Sequence, residues 1–377
     1  MTLYFIAGEA SADNHGAALM QSLRQLDADL RFVGRGGPQM KTIAGAQFNN
    51  WIERSGVLGL WEVIKHYGYF RKQFAETLGE IAQSKPAAVV LIDYPGFNLR
   101  LARVLHRQKT ARKIIYYISP QVWAWNRGRI KKMARWLDLM LCIFPFEADL
   151  YSQSGLRAVF VGHPMIDRLR VHKIDIERDP NLIGLFPGSR LREVRKIFPI
   201  LIETTRELRK QKPDLRFEVA AASPELAAEM KAMVHRLPAE EHRQDAAVTI
   251  KLGETFSIMQ RAFVGIVASG SATLEAAYFG LPFVLVYKVA SPTYLAARLV
   301  VDVKYLGMPN VLAGKEVVPE FIQHRARPRA IAHALSRLLN DDVARKRMTS
   351  DFAAVIASLG EGGASERAAK AILDELI

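Results

Sequence analysis

Short apolar runs, each closed by turn residues and followed by helical periodicity, recur from one end of this chain to the other and constrain its fold more than any other feature. Residues 3–7, 88–92, 113–118, 139–144 and 158–161 read as buried strands of one parallel sheet. Residues 182–186, 217–221, 248–252, 264–268 and 283–287 read as a second set, alternating with helical stretches such as 193–210 and 271–279. A strand apolar along its whole length is covered on both faces, and helices between parallel strands provide that cover. The fold class is therefore α/β, with two Rossmann-like doubly wound domains. Residues 168–181 carry charge, lack an apolar run, end in Asp179-Pro180-Asn181 and read as a linker. The expected domains are 1–167 and 168–377, with the C-terminal helix free to pack back on the first. The ligand site is expected in a cleft where both sheets present the carboxyl ends of their strands.

A chain of 377 residues suits two such domains at roughly 150 residues each. Lysine and arginine number 52 against 38 aspartate and glutamate, a net charge of +14 that calls for anionic company: nucleic acid, phosphorylated metabolites or an anionic membrane. The one cysteine, Cys142, sits in an apolar run and reads as a small buried hydrophobe, which excludes an intrachain disulfide framework and fits a reducing cytoplasm. The segment Met1-Thr-Leu-Tyr-Phe-Ile-Ala lacks a basic start and reads as a strand, not a signal peptide. No apolar stretch reaches the roughly 18 residues that a transmembrane helix needs.

Between Tyr94 and Leu137 there is no acidic residue, yet the span holds eleven bases: Arg100, Arg103, Arg107, Lys109, Arg112, Lys113, Arg127, Arg129, Lys131, Lys132 and Arg135. A solvated helix face accounts for any one of them; the whole span forfeits the pairing of a mixed-sign surface and reads as a functional field. Upstream, Val57, Leu60, Trp61, Ile64 and Tyr67 share one helical face, while Leu58, Val63, Tyr69 and Phe70 fall off it. A core stripe is the plain reading. The surplus apolar surface beside a basic field also suggests monotopic membrane contact through Trp61, Ile64 and Phe70.

Five strand-to-helix loops carry candidate chemistry. Gly8-Glu9-Ala-Ser11-Ala-Asp13 offers small residues and caps at a helix start. Asp93 closes an apolar strand ahead of Tyr94-Pro-Gly-Phe-Asn98; desolvation there suits a general base, and an N-cap is the competing role. Ser119-Pro-Gln-Val-Trp123-Ala-Trp125 sets two indoles at the same rim. In the second half, Pro187-Gly188-Ser189-Arg190 and Ser269-Gly270-Ser271-Ala-Thr273-Leu-Glu275 both aim at an anion, with a guanidinium fork for a diphosphate and a carboxylate for a ribose diol. Neither is a dehydrogenase fingerprint or a P-loop. The histidines are scattered, His163 reads as structural or sugar-binding, and no metal cluster is visible.

These motifs, together with Phe144-Pro-Phe-Glu147, Val161-Gly-His-Pro164 and Pro309-Asn310-Val-Leu-Ala-Gly314, resemble in their order the lipid-A-disaccharide synthase family, bacterial GT-B glycosyltransferases, over nearly the whole chain. The chain departs from the family at Ala12, where glycine is usual. The resemblance implies two domains facing across a cleft, no cofactor and no metal. It implies transfer of 2,3-diacylglucosamine from UDP to the 6-hydroxyl of 2,3-diacylglucosamine 1-phosphate. UDP is then expected at Gly188, Ser189, Arg190, Gly270, Ser271 and Thr273, with Glu275 on the ribose and Asn310 joining the donor site. The acceptor is expected near Ser11, Asp13, Trp123 and Trp125, with Asp93 as base and Glu9 as its rival. The partners are the two lipid substrates and an anionic membrane surface, not nucleic acid, on the cytoplasmic inner face; a homodimer stays open. A UDP-N-acetylglucosamine 2-epimerase or MurG-like transferase is the alternative within the fold, and a nucleic-acid-binding protein the alternative outside it.

Overall fold

The computed structural model describes residues 1–52, 67–235, 247–290, 294–295, 298, 301 and 303–377. They form two compact units, Met1–Asp167 with Leu359–Ile377, and Arg168–Ser358. Each is an α/β unit around a parallel sheet.

In the first unit the strands β1 (Thr2–Ala7), β2 (Arg31–Gly36), β3 (Phe48–Asn50), β4 (Ala88–Ile92), β5 (Ile114–Tyr117), β6 (Leu139–Cys142) and β7 (Arg157–Phe160) lie in the order β3-β2-β1-β4-β5-β6-β7. Leu3, Phe5 and Ala7 bury into one face of the sheet, and Tyr4 and Ile6 into the other, so both faces demand cover. β2 escapes a reading by apolar runs because it is Arg-Phe-Val-Gly-Arg-Gly. Its Arg35 is nonetheless buried. The Glu80 carboxylate takes Nε at 3.0 Å and Nη2 at 2.5 Å, while Glu76 and Gln73 of helix Tyr67–Ser84 complete the set. Arg35 is the buried member and its carboxylate partners are partly exposed; losing them would strand a buried guanidinium, so the cluster pins this helix to the sheet.

The C-terminal helix Ala364–Leu376 belongs to the first unit and packs on helix Ala10–Leu26. Charge fixes its two ends. Glu375 accepts from Lys113 at 2.6 Å and Arg157 at 2.7 Å, and Asp167 takes the Gly363 N–H at 2.9 Å.

The second unit holds β8 (Asp179–Phe186), β9 (Arg216–Ala221), β10 (Val248–Leu252), β11 (Ala262–Ala268), β12 (Phe283–Tyr287) and β13 (Glu320–Ile322), ordered β10-β9-β8-β11-β12-β13. The stretch 168–181, read as linker, is structured at both ends. Helix Met165–Arg170 enters it and β8 begins at Asp179. Between them Arg178 donates to the carbonyls of Met259 (2.8 Å), Ala262 (2.5 Å) and Phe279 (2.5 Å), tying the segment down.

Strand order reverses beside β1, flanked by β2 and β4, and again beside β8, flanked by β9 and β11. At such a switch point the loops leaving neighbouring strands diverge to opposite faces and open a crevice. Glu9 and Asp93 follow β1 and β4, and the two glycine loops of the second unit follow β8 and β11.

Candidate active site

At the first switch point, register pairs Ala7 with Ile92, so the residues just beyond, Glu9 and Asp93, leave adjacent strand ends. Asp93 and Tyr94 both hold left-handed backbone, with φ of 45° and 50°, and Ile118 beyond β5 has φ of 65°. A β-branched residue there is a genuine outlier, and strain of this kind persists only where the surroundings over-determine it. They do so at Asp93. Its carbonyl accepts from Tyr116 Oη at 2.5 Å and Asn98 Nδ2 at 2.8 Å, while its N–H donates to Tyr117 O at 3.0 Å. The carboxyl is left free of capping duty: Tyr94 is the N-cap of helix Pro95–Gln108, without a side-chain cap bond. Burial, and then the charge of Glu9, push the Asp93 carboxyl up to about 6.

Gly8 lies under the Tyr94 ring, where a Cβ would collide with it. Ala12, the departure from the family pattern, is buried on helix Ala10–Leu26, where its methyl is accommodated. Glu9 and Ser11 are exposed. Asp13 is not available to an acceptor: it is 2 % exposed and receives the N–H groups of Gly37 (2.9 Å), Gln39 (2.9 Å) and Met40 (3.0 Å) at the start of helix Pro38–Ala44.

The two indoles part company. Trp125 is 44 % exposed with the Arg129 guanidinium 4.8 Å from its ring. Trp123 is buried edge-on to Phe146, its one polar atom donating to Glu147 Oε1 at 2.9 Å, so it serves the fold and not an acceptor. Glu147 is fully buried, and burial pushes its carboxyl up to about 7 against the hydrogen bonds from Trp123 and Phe144 N. Phe70 is half-buried with its ring 5.6 Å from that of Tyr69; Trp61 and Ile64 lie outside the described residues.

The second switch point opens a hollow of about 470 Å³ bordered by Gly188, Ser189, Arg190, Ser269, Gly270, Ser271 and Glu275, with Arg168, Ala221, Thr255 and Phe256. Gly188 and Gly270 have φ of 108° and 143°, conformations that need glycine. Arg190 is exposed and reaches Glu193 Oε1 at 3.2 Å. Glu275, nearly buried, pairs through Oε1 with Arg168, whose guanidinium also lies 5.5 Å from the Phe256 ring.

Two expected donor residues are absent from this hollow. Thr273 is fully buried, its hydroxyl donating to Gly270 O at 2.8 Å, so it shapes the loop from behind. Asn310 is fully buried and fully used: Nδ2 donates to Val318 O (2.8 Å) and Glu320 Oε1 (2.9 Å), and Oδ1 accepts from Val317 N (2.7 Å) and Val318 N (2.8 Å). Four residues that brace these loops were not singled out from the sequence. Asn98 and Glu147 stood inside motifs already singled out, whereas Tyr116 looked like any strand tyrosine and Arg168 like linker charge.

Among the described residues no group of three or more His, Cys, Asp or Glu side chains is arranged to hold a metal ion, and no helix is long and apolar enough to cross a membrane. The basic residues Arg100, Arg103, Arg107, Lys131, Lys132 and Arg135 are exposed on helices Pro95–Gln108 and Gly128–Trp136, which pack side by side.

Comparison with known proteins bears on both units. Among solved structures, the UDP-GlcNAc 2-epimerase from Neisseria meningitidis bound to UDP-GlcNAc matches with a TM-score of 0.58 at 12% identity, over 100% of this chain and 99% of that one. The glycotransferase of kitacinnamycin matches with a TM-score of 0.60 at 14% identity, again over 100% and 99%. At such identities the likeness is one of fold, of GT-B type. Sequence relatives are more telling. Lipid-A-disaccharide synthase of Geobacter sulfurreducens is 37% identical over 99% of this chain and 97% of its own length. Lipid-A-disaccharide synthase 1 of Legionella pneumophila is 36% identical over 95% and 93%. The family model described as lipid-A-disaccharide synthetase matches residues 3–373. With that match running through both sheets, and through the carboxylates and glycine loops at their switch points, the chain belongs to the lipid-A-disaccharide synthase family.

Proposed function

We propose that Asp93 is the general base in the glycosyl transfer this chain catalyses, the condensation of UDP-2,3-diacylglucosamine with 2,3-diacylglucosamine 1-phosphate to a β-1,6-linked disaccharide 1-phosphate and UDP. The observation that carries this role is a half-buried carboxyl on a strained, clamped strand end, raised to about 6. A base of that affinity is still ionised at neutral pH, yet binds a proton more readily than an ordinary aspartate. A primary hydroxyl is a poor nucleophile, and a β-linkage made from an α-linked donor implies one inverting displacement. Asp93 takes the proton of the 6-hydroxyl as its oxygen bonds to C1; the C1–O bond to UDP breaks, and its electron pair leaves with UDP.

Arg190, Gly188, Ser189, Gly270 and Ser271 hold the diphosphate, and the N–H groups opening helix Leu191–Gln211 meet its growing charge. Arg168 engages one oxygen of Glu275 and the other serves the ribose diol. Glu9, Ser11 and Trp125 border the acceptor, whose 1-phosphate draws on the basic helices of the first unit. Those helices, with Trp61, Ile64 and Phe70, hold the enzyme peripherally on the anionic inner face of the cytoplasmic membrane, since apolar insertion and charge attraction add.

A radiolabelled assay with UDP-diacylglucosamine and its acceptor tests this, with UDP-N-acetylglucosamine as control donor. Disaccharide from the acylated donor alone, lost in Asp93→Ala, is the expected result. Transfer that survives in Asp93→Ala would remove the base from this account.

A further inference from the structure

Arg190 and Glu193 border a second hollow besides the one assigned to UDP, and its walls are of another kind. It measures about 520 Å³ and is lined by Leu191, Val289 and Ala290 together with Arg192, Lys196 and Lys288. Leu191 is 40 % exposed, at the first position of its helix. The opposite wall is braced. Gln323 accepts from Val289 N at 3.1 Å and donates to Val289 O at 3.3 Å, so this peptide is held from both sides. Long basic side chains around an apolar hollow lay their methylenes along it and keep their charges in water.

We propose that this hollow receives an acyl chain of the sugar donor. The inference rests on the donor reading above and deepens it. Strand order β10-β9-β8-β11-β12 ranks the loops along the carboxyl edge of the second sheet. The UDP hollow spans the loops after β10 and β9, with Phe256 and Ala221, to those after β8 and β11; Lys288, Val289 and Ala290 follow β12, one step further. With the diphosphate at Arg190, which borders both hollows, and the nucleoside in the hollow that reaches back to the loop after β10, the glucosamine lies on the side of the second hollow. Its acyl groups are borne on the sugar itself, at C2 and C3. A donor without chains has nothing to bury between Leu191 and Ala290, whereas each methylene buried there is worth roughly fourfold in binding.

The test fills the hollow from the wall that follows β12 with Val289→Trp and, independently, Ala290→Trp, neither of which belongs to the diphosphate loop or to the helix start behind it. For the parent and both variants, kcat/KM is measured on UDP-diacylglucosamines of short and long acyl chain, and UDP affinity by calorimetry. The expected result is a long-to-short preference reduced by about tenfold or more in both variants, two displaced methylenes or more at roughly fourfold each, with UDP affinity unchanged. A parent active on the acylated donors whose preference is unmoved in both variants overturns this proposal alone. A parent that transfers from no acylated donor overturns it together with the donor reading.

Discussion

Glu9 and Asp93 follow the neighbouring parallel strands β1 and β4, and the charge of the first adds to burial in holding the proton of the second up to about 6. A base must be ionised, so kcat/KM is expected to fall as pH drops through about 6. Glu9→Gln removes one of the two causes and should move that limb to lower pH. Asp93→Ala should cost about two to four orders of magnitude in kcat and leave UDP affinity intact. A pH–rate profile that ignores Glu9→Gln would dissociate the two carboxylates; more than about a tenth of parental kcat in Asp93→Ala would pass the role to Glu9.

Arg190 is the exposed cation of the donor loop, and its bond to Glu193 leaves most of the guanidinium fork open. Arg190→Ala should weaken UDP about tenfold or more, in line with the roughly 1.5–3 kcal/mol of a charge-assisted hydrogen bond. Calorimetry reads this directly, and unchanged UDP affinity with intact activity would place the diphosphate elsewhere.

Asp13 and Asn310 sit in motifs that the sequence associates with ligands, but their polar groups are consumed by the fold. Asp13→Ala strands three backbone donors and Asn310→Ala strands two, at about 1–3 kcal/mol for each group left buried and unpaired. Both variants should melt at lower temperature, while the folded fraction binds UDP as the parent does. Selective loss of UDP affinity at an unchanged melting temperature would return Asn310 to the donor site.

Glu147 has a carboxyl raised by burial to about 7 in the folded chain, above the value it takes when unfolded. The folded state therefore binds this proton more tightly, and the resulting stability is complete below about 4.5 and is lost as pH rises through about 7. The loss amounts to at most about 3 kcal/mol. Glu147→Gln keeps an acceptor for the Trp123 indole and cannot ionise. Its urea-unfolding free energy should vary less than the parent's across that window; an unchanged slope would assign the pH dependence to other groups.

Membrane contact is checked by replacing Trp61, Ile64 and Phe70 with serine. Flotation with anionic vesicles should fall sharply and the remainder should be sensitive to salt, because charge attraction alone is screened. Equal flotation of parent and variant would make the stripe core.

The fully buried strands were legible because a strand covered on both faces has to be apolar throughout, and residues 88–92 or 283–287 announce themselves in that way. The chain likewise displayed its turn chemistry: glycines at positive φ in the two anion-facing loops, and an aspartate closing a strand. β2, β3 and β13 stayed hidden, the first built around a buried arginine and the other two only three residues long. What sequence could not divide was the set of polar residues within its own motifs. Asp93 and Asp13 are the same side chain beside similar loops, yet one carboxyl caps no helix at its clamped strand end and the other is saturated by a neighbouring helix. Asn310 and Thr273 turned inward, while Arg168, read as linker, came to lie on Glu275. Apolar periodicity, a local property, determined the strands and loops from the sequence. Which polar atoms were left for chemistry was decided only by tertiary structure, because a hydrogen-bond donor or acceptor is available only if no partner distant in the chain has already satisfied it.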